Sequence, residues 1–394
     1  MPDPYRVGIV GYGVAGATSA YLLAKAGHEV TIFERSPKVG PVGAGVLLQP
    51  SGQLVLSRLG LLDEVIARAE PIEELHALTD RGRTLIRLPY AEVEPGMRAY
   101  GVHRGDLFEA LHRAVGRGST VERLGCEITT YRETPNAVFV IDSNGQEFGP
   151  FDFVLAADGS RSNLRIASGL SRWSHEYAHG AMWAIGRSSA VSGKLHQVVR
   201  GTKSLLGLLP MGDGRCSLFW SLRRDAKDAV REAGFDTWRR EVVTLCPLAE
   251  ELLSGLRGWD DVAYTRYQHV WMKRWHTNRV LFLGDAAHAM SPHLGQGINL
   301  ALIDAFSFAT ELAGADTFEQ AIGRHTSGRR AHIRFYGSLT LALTPFFQSN
   351  GWVKGVGRDV ALPILTHLPI IRGQMILAMS GLKRGFFRGR MRLP

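Results

Sequence analysis

At 394 residues the chain exceeds the length at which a single hydrophobic core keeps growing, so two packed domains with room for a buried site are expected. Hydrophobic residues make up 45% and charged residues 21%, which excludes extended disorder, and 45 glycines point to tight turns and close backbone approaches to a ligand. The 46 basic and 37 acidic side chains leave a net charge of +9, which suits an anionic cofactor, but no recognised nucleic-acid fold accompanies it, so nucleic acid is not the expected partner.

In chain order, Arg6–Val10 is a short apolar run suited to a buried strand, and a glycine-rich stretch then leads into a helix over 15–26 that ends at Gly27. Residues 7–26 are apolar but interrupted by Gly11, Gly13 and Gly16, so they read as a folded strand–helix unit and not as an export leader. Residues 29–33 form the next strand. Ser51 is placed to cap a helix over 53–58, and 104–115 carries Leu107, Phe108, Leu111 and Val115 on one helical face. Buried strands are expected over 151–157, ending at Asp158, and over 279–283, ending at Gly284 and Asp285.

Residues 171–275 change character: 195–199, 204–209 and 216–222 are strand-like, and Gly212-Asp213-Gly214 joins the last two as a hairpin. From 326 onward the chain is helix-forming, broken by Pro345, Pro363 and Pro369, and it ends in Lys383, Arg384, Arg388, Arg390 and Arg392. That basic tail, interleaved with Leu382, Phe386, Phe387 and Met391, could lie weakly on an anionic membrane surface; a helix docked on the body is the preferred reading. Cys126, Cys216 and Cys246 form neither a disulfide framework nor a zinc set, and no metal is expected; a reducing cytoplasm follows.

Chemistry begins at Gly11-x-Gly13-x-x-Gly16 between strand and helix, with Glu34 and Arg35 at the end of the following strand. The first glycine allows a tight turn, the second lets a pyrophosphate approach the backbone, the third lets helix and strand pack closely, and the glutamate accepts hydrogen bonds from ribose hydroxyls. The triplet does not separate NAD from FAD. Two further segments do: FDFVLAADGSRSNLR over 151–165, and RVLFLGDAAHAMSPHLGQGINLALIDAFSFATEL over 279–312.

With those three motifs in this order the chain resembles the class A flavoprotein monooxygenases, the para-hydroxybenzoate hydroxylase-like family, over roughly residues 5–325. The resemblance implies an α/β fold: a glutathione-reductase-like Rossmann FAD-binding domain (1–75, 99–170, 276–325), an inserted β-sheet substrate domain (76–98, 171–275) and a C-terminal helical segment (326–394). It implies that Gly11, Gly13, Gly16 and Glu34 hold the ADP half of FAD, and that Asp285 binds hydroxyls near the pyrophosphate. Arg104 would contact the flavin or its phosphates, and Asp158 and Gly159 would serve FAD and NAD(P)H. The loop from Pro292 through His293, Gly295 and Gly297 to Ile298 and Asn299 would face the isoalloxazine. Free N–H groups at that helix start stabilise negative charge on the reduced ring.

The implied reaction uses NADH or NADPH to reduce FAD, and dioxygen then forms a C4a-hydroperoxide that hydroxylates an aromatic or quinone-like molecule. A monomer or homodimer is expected. The rivals are a geranylgeranyl-reductase-like flavoenzyme without oxygen insertion, and a protein that keeps FAD as a structural element; a halogenase is disfavoured because no Trp-x-Trp-x-Ile-Pro stretch occurs. The segment 39–50 departs from the family pattern, with Pro41 and Val42 where relatives often carry an arginine before the GAG stretch. Gly43 and Gly45 still allow close approach, and Lys38 substitutes only if the loop folds back. Trp183, Leu208, Phe219, Trp220 and Tyr267 are the candidate substrate wall beside Pro292 and His293, implying a flat, largely apolar ligand. His293 and His269 are the bases worth testing, whereas His288 reads as a satisfied core residue.

Overall fold

The computed structural model describes residues 4–38, 40, 44–349, 351–387 and 389–391. Pro41, Val42, Gly43, Arg388 and Arg392 of the expectations above lie outside the described residues.

Apolar runs without alternation suit strands covered on both faces. Four of them, Val280–Phe282, Phe153–Ala156, Arg6–Val10 and Glu29–Glu34, lie side by side in that order, with Val121–Leu124 at the far edge, as a five-stranded parallel sheet. The helix Val14–Lys25 packs on one face of it. Gly16 makes this possible, since a Cβ there would lie 1.9 Å from the Gly11 carbonyl oxygen. The strand expected over 151–157 is two elements. Asp152 breaks it by accepting from the Arg6 backbone N–H at 2.7 Å, so Phe151 ends an antiparallel strand, Glu147–Phe151, of a small sheet covering the other face.

The second large sheet has seven strands in the order Val262–Met272, Ser171–Arg187, Arg215–Arg223, Ser204–Pro210, Lys194–Arg200, Glu74–Thr79 and Thr84–Pro89. The hairpin at 212–214 forms as its glycines suggest, and Asp213 takes a φ of 53° between them. Behind this sheet lie the helices Phe235–Leu245 and Glu250–Ser254, built around buried Trp238 inside a stretch expected to be strand-rich.

Three expectations are corrected. Ser51 does not cap: the helix runs Pro50–Leu59 with Gln49 at the cap position, and Ser51 is buried, its N–H donating to the Ser380 carbonyl. The C-terminal helical region begins before 326, at Phe318, because the Thr317 hydroxyl accepts from the Gln320 N–H. Pro345 and Pro363 do not break helices; they sit near the C-terminal ends of Phe318–Phe347 and Trp352–His367, where few ladder bonds remain to lose, and Pro369 opens Pro369–Met379 at its first turn. The outward face of Trp352–His367 exposes Trp352, Val356, Val360 and Ile364. No single helix among the described residues is long and apolar enough to cross a membrane. In the basic tail Lys383 is buried and donates to Gln374, while Arg390 pairs with Glu94 at 2.5 Å, so these two are docked on the body.

Three distant segments meet at one buried carboxylate. Asp304, in the helix Gly297–Ala313, accepts from the Gly284 N–H at 3.0 Å, from His288 Nε2 at 2.5 Å and from Arg329 Nε at 2.8 Å. His288 is therefore a core residue, as read. Burial alone would raise the Asp304 carboxyl, but His288 and Arg329 outweigh it and hold it well below the usual carboxylate range. Because its folded value is depressed, its contribution to stability is present above the unfolded value of about 3.9 and is lost as pH falls below that. Asp304→Asn should cost about 3–5 kcal/mol in urea unfolding at pH 7, by stranding Arg329. The deficit relative to wild type should shrink as the pH is lowered towards 3.

Candidate active site

Between the two sheets lies a cavity of about 690 Å3, roofed by the C-terminal helices. Beside its end at Ser160 and Asp285 lie turns that are not themselves among its lining residues. Gly11 has a φ of 101° and a Cβ there would lie 2.4 Å from the Ala157 oxygen, whereas the space around Gly13 is open, leaving its backbone free for an approaching phosphate. Glu34 ends its strand with one carboxylate oxygen accepting from the Tyr12 N–H at 3.0 Å and the other from Ser36 N–H at 2.9 Å, which places the acid beside the glycine loop. Arg35 is exposed on the turn that follows.

The second and third motifs are tied together by Arg165, a buried guanidinium that donates to the Ser160 carbonyl at 2.7 Å and the Ala286 carbonyl at 2.9 Å. It is the last residue of the 151–165 segment, and its role was not legible there. Asp158 accepts from the Leu164 N–H with one oxygen and leaves the other buried without a partner, while Gly159 turns the chain at φ 83°. Asp285 is ringed by protein, yet its carboxylate opens into the cavity; this burial pushes its pKa up, opposed by His288, Arg104 and Arg165. Arg104, the first residue of the helix Arg104–Gly116, lines the same end. An open carboxylate, an orphaned carboxylate oxygen and a bare glycine backbone fit the hydroxyls and phosphates of FAD.

Pro292–Leu294 forms a single tight turn, Gly295 takes φ 59°, and the helix Gly297–Ala313 starts at the cavity wall. Pro292, His293, Gly295, Gly297 and Ile298 line the cavity. Asn299 does not. Its side-chain amide bonds the Gln49 N–H and the Leu47 and Gly295 carbonyls at 2.9–3.0 Å and so pins the strand Gly45–Leu48 to this helix. Gln49 and Gln296 were missed. Gln49 accepts from the Tyr90 hydroxyl at 2.7 Å and leaves its Nε2 orphaned, and Gln296 leaves its Oε1 orphaned, both in residues of the wall. Lys38 is exposed and is not among the lining residues.

At the far end Trp183, Phe219 and Tyr267 line the cavity, with Trp183 Nε1 donating to the Tyr267 hydroxyl at 3.2 Å and the Trp183 ring edge-on to Phe219. Leu208 and Trp220 do not. Strand registers Gly207↔Phe219 and Leu206↔Trp220 put Leu205, Gly207, Leu209 and Phe219 on the cavity face and Leu206, Leu208 and Trp220 on the opposite face, packed around Trp238. Strand alternation was the available signal: Phe219 and Trp220 are neighbours and cannot face one side. The roof residues Phe335, Leu339, Leu343 and Phe347 were missed as well, although their four-residue spacing in the helix Phe318–Phe347 marks a single face. His269 lies behind the wall, its Nδ1 2.9 Å from the Tyr177 hydroxyl.

The parallel sheet, its glycine loop and the two acid-bearing motif loops together define an FAD-binding oxidoreductase. Residues 4–321 match the family model for the FAD binding domain. The chain is 30% identical over 340 residues to the aurachin C monooxygenase/isomerase of Stigmatella aurantiaca (84% of this chain, 86% of that protein). It is 32% identical over 356 residues to the 3-amino-4-hydroxybenzoate 2-monooxygenase of Streptomyces cremeus (86% and 84%). Its fold is similar to that of Klebsiella pneumoniae HpxO, solved as a variant with FAD, at a TM-score of 0.79 and 21% identity, covering 96% of this chain and 99% of that one. The chain belongs to the class A FAD-dependent aromatic monooxygenases. It is an oxidoreductase that uses FAD, with NAD(P)H as the family's reductant, and the hydride-transferring reductase alternative is not favoured.

Removing the charge-bearing acceptor at the cofactor end should weaken FAD binding without unfolding the protein. Asp285→Ala is expected to raise the FAD dissociation constant about tenfold or more, read by flavin fluorescence on titration of the apoprotein. Strand parity yields a second expectation. Phe219→Ala should raise KM with little loss of stability, while Leu208→Ala should cost about 2–4 kcal/mol in thermal unfolding and leave KM unchanged.

Proposed function

We propose that the substrate is a neutral, flat aromatic of the quinolone or quinone kind that carries an aliphatic extension, hydroxylated on its ring. The observation that carries this reading is the distribution of polarity in the cavity. Leu75, Ile86, Leu88, Leu195, Leu205 and Leu209 form an aliphatic wall, whereas the uncommitted polar atoms belong to Gln49, Gln268, His293 and Gln296. The wall's cations stand away from these leucines or are paired: Arg104 is at the cofactor end, Arg266 pairs with Glu176 at 3.4 Å, and Lys383, bonded to the neutral Gln374, sits in the C-terminal tail with the exposed Phe386. A benzoate would leave its charge unpaired against leucines, at a cost of several kcal/mol.

FAD, when bound, takes reducing equivalents from NAD(P)H and activates dioxygen; the protein supplies place and field. Backbone N–H groups at Gly297 and Ile298, the first turn of a 17-residue helix, present positive potential where negative charge collects on a reduced ring. Trp183 and Phe219 offer flat faces for the substrate ring, and the roof from Phe335 to Phe347 excludes water that would otherwise divert the oxygen to hydrogen peroxide. The three unbridged cysteines suit a reducing compartment, and we place the reaction in the cytoplasm.

Alkylated 4-quinolones and quinones should be turned over with 18O from dioxygen in the product, and kcat/KM should rise about threefold to fourfold per added methylene over the first few. Preference for salicylate or hydroxybenzoates, with no dependence on chain length, would assign the cavity to aromatic acids instead.

A further inference from the structure

The helices Trp352–His367 and Pro369–Met379 are apolar on both faces. Their inner face closes the cavity with Leu362, Ile371 and Met375. Their outer face carries Trp352, Val356, Val360, Ile364 and Leu368 at every fourth position, followed by Ile370, and each of these is between 46% and 81% exposed. A helix that is apolar all round is one that gets buried, and an exposed patch of this kind marks a surface that is covered when the protein works. Both helices are held firmly to the body. Buried Arg358 fastens the first by donating to the Gly201 and Phe346 carbonyls at 2.8 and 2.9 Å, and Arg372 fastens the second by its bonds to Glu92.

Charge indicates what covers the patch. Residues 352–394 hold eight basic side chains and one acidic, Asp359, which accepts from Arg358 Nε at 2.8 Å and is thereby neutralised. Lys354 and Arg384 are exposed, and close to Arg384 in the tail stands Phe387, fully exposed. A second copy of the chain, meeting this face symmetrically, would bring the positive surplus against itself. A leaflet of anionic lipid answers both features, taking the apolar side chains at its acyl boundary and the cationic groups at its phosphates. The shape suits lying on such a surface and not crossing it. Neither helix is long enough to span, and the pair reaches the length and apolarity of a membrane segment only across a bend of 104°. Val360 and Ile364 face outward while Leu362, between them, lines the cavity, so one helix separates the outer face from the cavity.

We propose that the outer face of the helices Trp352–His367 and Pro369–Met379 seats the enzyme on an anionic membrane leaflet, with its apolar stripe at the acyl boundary and Lys354 and Arg384 among the headgroups. The contact is reversible and weakens with salt, because part of it is the attraction of exposed cations to lipid phosphates.

The test uses the full-length, FAD-loaded protein and no substrate, so its outcome is separate from that of the substrate reading. Vesicles of phosphatidylglycerol and phosphatidylcholine in equal parts should carry the wild type down on centrifugation, and phosphatidylcholine alone, or molar salt, should lower the partition coefficient about tenfold or more. Val360→Glu combined with Ile364→Glu, and separately Lys354→Glu combined with Arg384→Glu, should each weaken binding about tenfold or more while the thermal midpoint and FAD content stay those of the wild type. Trp352 gives a reading that does not depend on how those variants fold. Its emission should shift to the blue when the mixed vesicles are added and be quenched by lipid brominated in the acyl chains, and this response should vanish in Trp352→Phe. Equal binding to both kinds of vesicle, binding unmoved by either pair of substitutions, or a Trp352 emission unmoved by vesicles overturns the proposal. So does a concentration-dependent dimer in sedimentation velocity, without uptake by vesicles, that Val360→Glu with Ile364→Glu abolishes; the face then belongs to a second copy of the chain.

Discussion

The carboxylate of Asp304 is enclosed by three donors from two distant parts of the chain: the Gly284 N–H and His288 from one short helix, and Arg329 from a long one. Each fixes something the site needs. Gly284 leads directly into Asp285, so its N–H bond sets where the cofactor-facing carboxylate emerges. His288 ends the same short helix, and Arg329 brings in the long helix whose apolar face roofs the cavity. A charge so deeply buried is tolerated only when its partners are complete. The cofactor loop, the flavin-facing helix and the roof therefore stand in one arrangement or not at all.

A second layer of fixing runs through backbone carbonyls. Arg165 bonds the carbonyls of Ser160 and Ala286, and Asn299 spends its whole amide on the Leu47 and Gly295 carbonyls and the Gln49 N–H. Both side chains shape the site without facing a ligand. This division explains why the groups left over, Asp285, Gln49 and the Pro292–Leu294 turn, can present themselves to the cavity in defined positions.

The FAD-binding class was legible because its chemistry demands particular residue types at particular spacings: glycines where a Cβ would strike the Ala157 or Gly11 carbonyl, and acids at the strand ends. The elements around these motifs followed from unbroken apolar runs. The substrate half was harder to read. Size singled out Trp220 and Leu208 as readily as Phe219, and only the pairing of Gly207 with Phe219 shows which face each occupies. The roof lay hidden for a different reason: its prolines look like breaks, and one at the end of a helix costs too little to break it. The pinning bonds of the Asn299 side chain were not legible, because its position facing Leu47 could be seen only once residues some 250 apart were brought together.

The roof comes from the C-terminal helices, whereas the cradle is gathered from the glycine loop at 11–16 and the loops at 158–160 and 284–298. The residues proposed to hold phosphate and ribose cluster in loops held by buried hydrogen bonds, while those lining the cavity from Phe335 to Met379 are mostly aliphatic and aromatic side chains on helices packed across the top. Exchanging one such side chain for another of similar volume leaves every polar anchor of the cofactor intact. This architecture therefore separates two kinds of inheritance: a frame that must be kept whole to hold its flavin, and a lid that can be rewritten residue by residue as a lineage takes up a new aromatic.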